Sequence, residues 1–467
     1  MAAARLSWRD PWATARCVAA LEGNDGLVLL DQDSDGASTS RWAYLGWRVI
    51  RQLRCRGFPG DPQARDPFAE LAAGLQAVAH LGGEGPAPFN GGWMGWLAYE
   101  AGAWIESRPT WKQPDEPLLW AALHDPLLAF DLRQRHVWVL SHGLTPGSLA
   151  GNRALAEQRV AAVGSLWQQL PTAVLPSIPV SGRWHWCTEP RRFADQVRQV
   201  KRWIAAGDLF QANLSCCCEA TLADAADPMA LYGLLRQASP APFAGLAISA
   251  GDAVISASPE RFLRAGADGW IETRPIKGTR PRARDPALDA DLAVELITSP
   301  KDRAENVMIV DLLRNDLGRV CVPGSIRVPV LAGHEPYRQV HHLTSVVEGQ
   351  LRPDHNVVDL LRACWPGGSI SGAPKVRACR RLAELEPVAR GPYCGSLFQL
   401  GCDGQWDSSI VIRSLMLHGQ RLRAHAGCGI VADSDPDAET AEMAVKIAAL
   451  RSVLSDRVYQ SPGSTAP

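Results

Sequence analysis

Four carboxylates stand in two pairs, Asp302 with Glu305 and Glu439 with Glu442, each pair just inside a helix start written Ser299-Pro300 or Asp435-Pro436. Residues three apart on a helix share a face. If the two helix starts converge, their acidic oxygens form the donor set of a hard divalent cation such as Mg²⁺. Solvated helix surfaces carry the same spacing, so spacing alone leaves both readings open. Lysine is scarce, with Lys112, Lys201, Lys277, Lys301, Lys375 and Lys446 the only six among 48 basic residues. Lys277 falls in the loop-like stretch Arg274-Pro-Ile-Lys-Gly-Thr-Arg-Pro-Arg282, beside Arg274, Arg280 and Arg282. Crowding by cations and burial both lower an ammonium pKa and make a lysine nucleophilic. A surface loop that attracts an anionic substrate fits the same residues.

Two glycine-rich segments, Pro366-Gly-Gly-Ser-Ile-Ser-Gly-Ala-Pro-Lys375 and Ala426-Gly-Cys-Gly-Ile-Val-Ala432, can bring backbone N–H groups close to an anion. Tight turns are the commoner use of such glycines, and neither segment is a phosphate-loop or dinucleotide fingerprint. The elements that must position these residues are legible as periodicity. Phe193, Val197, Val200 and Ile204 predict a helix from Pro190 that stops at Gly207, and a strand follows from Gln211 to Ala220. Ser299 caps a helix running through Val307, Val310, Leu313 and Leu317, while the helix from Asp435 carries Glu439, Glu442 and Lys446 on one face. Before residue 170, Gly26–Leu30 and His136–Leu140 read as strands. The proline-rich run Leu170–Val180 resists helix. The expected division is an N-terminal region 1–169, a linker 170–187, a catalytic region 188–456 and a frayed tail 457–467.

A chain of 467 residues with 46% hydrophobic and 21% charged residues has ample material for a packed core. With 48 basic against 49 acidic residues, no overall field recruits nucleic acid or an anionic membrane. The twelve cysteines form no C-x-x-C pair, and the run Cys216-Cys217-Cys218 reads as core packing. Met1–Gly23 lacks the apolar core of a signal peptide, and no window of 18 apolar residues occurs. A soluble cytoplasmic enzyme is expected.

The ordered blocks Ser258-Pro-Glu-Arg-Phe262, Pro275-Ile-Lys-Gly-Thr279, Lys301-Asp-Arg-Ala-Glu-Asn306, Asp311-Leu-Leu-Arg-Asn-Asp316, His342-Leu-Thr-Ser345, Gly368-Ser-Ile-Ser-Gly-Ala-Pro-Lys375, Ile412-Arg413 and Gly427-Cys-Gly-Ile-Val431 resemble the chorismate-utilising enzymes. That family includes anthranilate synthase component I, aminodeoxychorismate synthase component I, isochorismate synthase and salicylate synthase. Gly91-Gly-Trp-Met-Gly-Trp96 with Tyr99-Glu100 is similar to the N-terminal region of the amine-adding members. Gln211 stands where the water-adding members carry a lysine base, and a neutral amide cannot do that work. Lys277 stands where most members carry alanine and the aminodeoxychorismate branch carries lysine.

The resemblance implies an α+β fold of two packed antiparallel sheets flanked by helices, with N- and C-terminal segments interwoven. It implies Lys277 as nucleophile and Glu260 as general acid toward chorismate. Glu305 and Glu442 would hold Mg²⁺, with Asp302 and Glu439 as outer partners. Tyr393, Arg413, Gly429 and Lys446 would anchor the enolpyruvyl carboxylate, His342 and Ser369 would line the ring, and Gln211 would sit against the substrate. Some members bind tryptophan through a Leu-Leu-x-Ser stretch; Leu29-Leu-Asp-Gln32 has glutamine for that serine, and Gln32, Ser40, Arg41, Trp42, Pro242 and Phe243 are the residues a tryptophan would meet. No Gly-x-Cys-x-Gly glutaminase turn accompanies these blocks, so a glutamine amidotransferase partner is implied as the ammonia source. The product would be 4-amino-4-deoxychorismate, on the way to p-aminobenzoate and folate. Anthranilate synthase component I is the enzymatic rival. A silent chorismate- or tryptophan-binding regulatory subunit is the rival of another class, against which Glu260, Lys277, Glu305 and Glu442 speak together.

Overall fold

The computed structural model describes residues 1–31, 41–106, 110–171, 180–222, 227–337 and 340–455. Prolines at the first helical turn and capping side chains start the helices. Asp10, Asp66, Asp227, Asp285, Ser299 and Asp435 each accept a backbone N–H from the turn they open. The predicted helices are Pro190–Ala205, Pro300–Gly318 and Pro436–Arg451.

The larger sheet begins with the N-terminal strands Ala2–Leu6, His136–Ser141, Leu127–Asp131, Trp42–Gly46 and Val28–Leu30. It continues without a break into Phe243–Ser249, Asp252–Ser258, Ser414–His418, Arg421–Ile430, Gln211–Leu222 and Val180–Trp186. The smaller sheet likewise joins Val49–Cys55, Leu119–His124 and Gly92–Leu97 to Ser396–Gly401, Trp406–Ile410, Arg261–Ala265, Trp270–Thr273, Val340–Gln350 and Ile276–Pro281. Pairing is antiparallel apart from Leu454–Ser455, which lies parallel to Val180–Ser181. The expected α+β architecture with interwoven halves is therefore present. Residues 180–186 of the stretch read as a linker form a strand, because the prolines end at Pro179 and the following residues are free to pair. Residues 172–179 lie outside the described residues.

Three apolar layers hold this arrangement. Val28, Tyr44, Met94, Trp96, Trp120, Ala247 and Leu397 come from both sheets and pack between them. Phe193, Val197 and Val200 of one helix and Met443, Ile447 and Leu450 of another cover the outer face of the larger sheet. Val310 and Leu317 cover the smaller one. Alternation along Gln211–Leu222 sends Leu214, Cys216 and Cys218 to the helix side, leaving Asn213, Ser215 and Cys217 on the other face. None of the described helices is long and apolar enough to cross a membrane.

One buried charge cluster ties the elements around the cavity together. The Arg390 guanidinium makes a two-point pair with Glu386, at 2.6 and 2.8 Å, and donates to the carbonyls of Ile370 at 2.8 Å and Asn213 at 2.6 Å. Arg390→Met strands the Glu386 carboxylate, and removing one partner of a buried pair costs about 3–5 kcal/mol. Equilibrium urea unfolding should show a loss of that size, whereas an exposed arginine such as Arg153 should show almost none on replacement.

Candidate active site

A cavity of about 520 Å³ opens between the ends of the two sheets and the starts of the two acidic helices. Its wall contains Glu260, Lys277, His342, Ser369, Tyr393, Arg413, Gly429 and Lys446, together with Asp302, Glu305, Glu439 and Glu442. Both Pro-started helices thus point their carboxylate pairs at one place.

Lys277 lies on an edge strand, Ile276–Pro281, and not in the expected loop. Pro275, Gly278 and Pro281 punctuate this stretch like a loop, yet an edge strand tolerates proline. Register against Val340–Gln350 slips between Ile276 and Thr279, and Gly278 has φ 86°. Such a bulge re-aims the side chain beside it. The Lys277 ammonium donates to the Ser369 carbonyl at 3.3 Å. The expected crowding by arginines is absent: Arg274 pairs with Glu335, Arg280 with Glu295 and Asp302, and Arg282 with Asp289.

Glu260 is buried, and burial pushes its carboxyl up to about 7 against the opposing pull of Lys277 and of hydrogen bonds from Ser369 and the Ile276 N–H. It can therefore both hold and release a proton near neutral pH, with the Lys277 nitrogen beside it. His342 is pushed down to about 4 by burial and by the Arg413 charge, and shares a 2.8 Å hydrogen bond between Nδ1 and Thr279 Oγ1. Its ring is therefore neutral near pH 7.

Arg413 has φ 50°, a strained backbone for a side-chain-bearing residue. Its guanidinium is pulled below its ordinary value by burial alone. Among the described residues no carboxylate pairs with it. A recessed cation without a counter-charge calls for an anion. Tyr393 stacks on His425 with ring centroids 4.9 Å apart and 17° between planes. Burial holds its phenol well above the ordinary range, so it keeps its proton to donate.

The acidic group meets the chemistry of Mg²⁺. Burial pushes the Glu305 carboxyl up, with Asp302 and Glu439 adding to the effect against Lys277 and Lys301. Asp302, Glu305, Glu439 and Glu442 bring to one wall the carboxylate oxygens that a hard cation takes. Burial also works against the Glu442 carboxylate, but Lys446 at 2.7 Å, backed by Lys301 and Lys277, holds it below the usual range. Glu439 accepts from Ser434 Oγ at 2.7 Å and lies 3.8 Å from Lys301. Glu439 and Glu442 also approach Cys428, with one donor atom from each of the three within 4.8 Å of the others. Burial pushes the Cys428 thiol up, so it stays protonated, and hard oxygens are the donors that suit Mg²⁺.

Gln211 is not part of the cavity wall; it lies just behind Gly429, with both amide atoms buried and unpartnered. Gly427 and Gly429 belong to the strand Arg421–Ile430 and not to a turn. A Cβ added at Gly429 would meet Gln211 Nε2 at 2.4 Å and Lys277 Nζ at 3.7 Å. Gly429→Ala should therefore push the Gln211 amide aside and set a methyl group next to Lys277 Nζ. Crowding of the backbone expected to anchor an anionic group should raise the substrate KM about tenfold, the scale of one charge-assisted hydrogen bond, read in initial rates, with thermal unfolding little changed. Sequence reasoning missed Thr279, Asn213, Lys301 and His425, which also line the cavity. His425 was findable only as the residue two before Gly427 on one face of an alternating strand.

Of the residues expected to meet a tryptophan, Gln32 and Ser40 lie outside the described residues. Arg41, Trp42 and Phe243 line a second cavity of about 250 Å³ with Asp31, Tyr44 and Arg261, while Pro242 is not part of its wall. Arg41 is already paired with Asp131 there.

A family model described as chorismate binding enzyme matches residues 33–452. This chain belongs to that family. It is 40% identical to an aminodeoxychorismate synthase of Streptomyces pristinaespiralis over 90% of this chain, and spans 56% of that protein's length. It is also 40% identical to aminodeoxychorismate synthase component 1 of Klebsiella aerogenes, over 77% of this chain and 76% of the relative. Among solved structures, anthranilate synthase component I from Streptococcus pneumoniae superposes with a TM-score of 0.75 at 28% identity, covering 89% of this chain and 93% of that one. The chain is a chorismate-utilising enzyme of the aminodeoxychorismate and anthranilate synthase type.

Proposed function

We propose that this chain aminates chorismate at carbon 4, as an aminodeoxychorismate synthase subunit fed with ammonia by a glutamine amidotransferase, in the cytoplasmic route to p-aminobenzoate and folate. One observation carries the choice between the two kinds of relative: a lysine side chain faces the cavity beside the buried Glu260, with Ser369 in contact with both.

Chorismate carries two carboxylates, an enolpyruvyl ether and a hydroxyl at carbon 4. Arg413, the Tyr393 hydroxyl and the backbone at Gly429 suit the enolpyruvyl carboxylate. Glu305 and Glu442, with Asp302 and Glu439 behind them, would hold Mg²⁺, which supplies positive charge to the ring carboxylate. Hydroxide is a poor leaving group, so the carbon 4 oxygen needs a proton as it departs. Once the Lys277 ammonium has passed its proton to the Glu260 carboxylate, the free amine bonds to carbon 2 while Glu260 gives that proton to the departing oxygen, the ring double bond shifts, and water leaves. Ammonia then bonds to carbon 4, the double bond shifts back, and the carbon–nitrogen bond to Lys277 breaks; Glu260 regains its proton from the incoming amine. Two allylic displacements replace one difficult substitution. The pyruvyl group stays attached. In the second cavity, the aromatic and arginine lining suits an amino acid such as tryptophan as a structural or regulatory ligand.

The test is to incubate the purified chain with chorismate, Mg²⁺ and an ammonium salt and identify the product by mass spectrometry. The expected product is 4-amino-4-deoxychorismate with pyruvate retained. Fluorescent anthranilate with free pyruvate would transfer the chain to the rival activity, and no turnover would favour a silent binding subunit.

A further inference from the structure

We propose that Cys187 and Cys217 form an oxidisable dithiol that a hydroperoxide closes to a disulfide, a modification site on the strand that carries Asn213 into the cavity. Strand register places the two thiols together. Trp186 pairs with Cys218, so the next position sets Cys187 opposite Cys217, and the Cys187 N–H donates to the Cys217 carbonyl at 2.9 Å. Opposite residues of a hydrogen-bonded antiparallel pair have Cα atoms about 5.5 Å apart and side chains on one face. That separation lies inside the roughly 4.4–6.8 Å range a disulfide spans.

Access and charge single out the same pair. All twelve cysteines are free thiols, and Cys187 alone is partly exposed while the other eleven are buried. The Cys217 thiol hydrogen-bonds to Cys187 and lowers its pKa, against burial and with help from Arg423 and Arg421. Cys217 is raised by the same contact and by burial, and its thiol also donates to the Cys218 carbonyl at 3.5 Å. A partly exposed thiol of lowered pKa beside a second thiol is the arrangement in which oxidation stops at the disulfide. The row continues past Cys217 to His425, its partner on the other side, whose ring stacks on Tyr393 in the cavity wall. The run Cys216-Cys217-Cys218 thus divides: its outer members pack into the helix-covered core, and its middle member faces Cys187.

The chemistry balances with hydrogen peroxide as oxidant. The Cys187 thiolate attacks one peroxide oxygen, the O–O bond breaks, and the departing hydroxide takes a proton to become water, leaving a sulfenic acid. The Cys217 sulfur then attacks the Cys187 sulfur, the S–O bond breaks, and hydroxide leaves as water with the Cys217 proton. The two thiols give up two electrons, and the peroxide becomes two waters.

The full chain would be treated with a small molar excess of hydrogen peroxide, blocked with an alkylating agent and mapped as unreduced peptides. The expected result is a linked Cys187–Cys217 peptide pair lighter by two hydrogens. Cys217→Ser should halt at a Cys187 sulfenic acid that dimedone traps, and Cys187→Ser should leave Cys217 alkylated as a free thiol. Recovery of wild-type Cys187 unmodified while another cysteine is oxidised, or as a sulfinic acid without the link, overturns the proposal. The wild-type arm decides even where a serine variant folds poorly.

Discussion

Glu260→Gln should lower kcat by about 10²–10⁴-fold, the usual contribution of a positioned general acid, while KM for chorismate changes little. Glutamine keeps the shape and the hydrogen-bonding contacts to Ser369 and Ile276 but holds no acidic proton. The pH profile makes the same test in the wild type. A general acid works only while protonated, and burial lifts this carboxyl up to about 7 despite Lys277 alongside. The kcat/KM profile should therefore fall on the alkaline side with an apparent pKa near that value. An ordinary exposed glutamate would have lost its proton well below neutrality and would give no such limb. His342, pushed down to about 4, is already neutral across this range and adds no limb there. Loss of the alkaline limb in Glu260→Gln, with the residual rate flat above neutrality, identifies the group. A limb that survives the substitution assigns it elsewhere.

Both acidic helices were legible because their starts are written locally: a capping Ser or Asp, a proline at the first turn, then apolar residues on one stripe. Their convergence was not legible, since it depends on two sheets that bring residues 300 and 436 together across the molecule. The strand bearing Lys277 was misread for a related reason. Pro275, Gly278 and Pro281 are loop signals, and only pairing with Val340–Gln350, about 60 residues away, converts the segment into a bulged edge strand. The partners that remove the arginine crowding, Glu335, Glu295 and Asp289, belong to other elements as well. The same limit applies to the glycines at 427 and 429. Locally they suggest a turn, but the strand opposite needs their missing side chains, with Leu214 carbonyl oxygen 2.4 Å from a Cβ built at Gly427. Family resemblance carried what periodicity could not, naming residues whose meeting place is set by topology.

Lys277→Ala should abolish a covalent adduct that the wild-type chain forms when given chorismate and Mg²⁺ without ammonia. The adduct is read by intact-protein mass spectrometry as a gain of chorismate less one water, and peptide mapping should locate it on Lys277. The amine has a place to act from: it leans on the Ser369 carbonyl at 3.3 Å, which fixes its direction. Loss of a group that bonds to the substrate should cost at least about 10²-fold in kcat, the low end for groups acting directly at the reacting atoms. Slow amination should persist at high ammonium, because ammonia can attack carbon 4 directly once Glu260 has protonated the leaving oxygen. Lys277→Arg separates nucleophile from charge. Guanidinium keeps the positive charge beside Glu260 but stays protonated and does not bond to carbon, so this variant should bind chorismate nearly as well as wild type and form no adduct. If Lys277→Arg turns over at the wild-type rate, the lysine serves only as a cation, and the two-displacement route gives way to direct attack by ammonia.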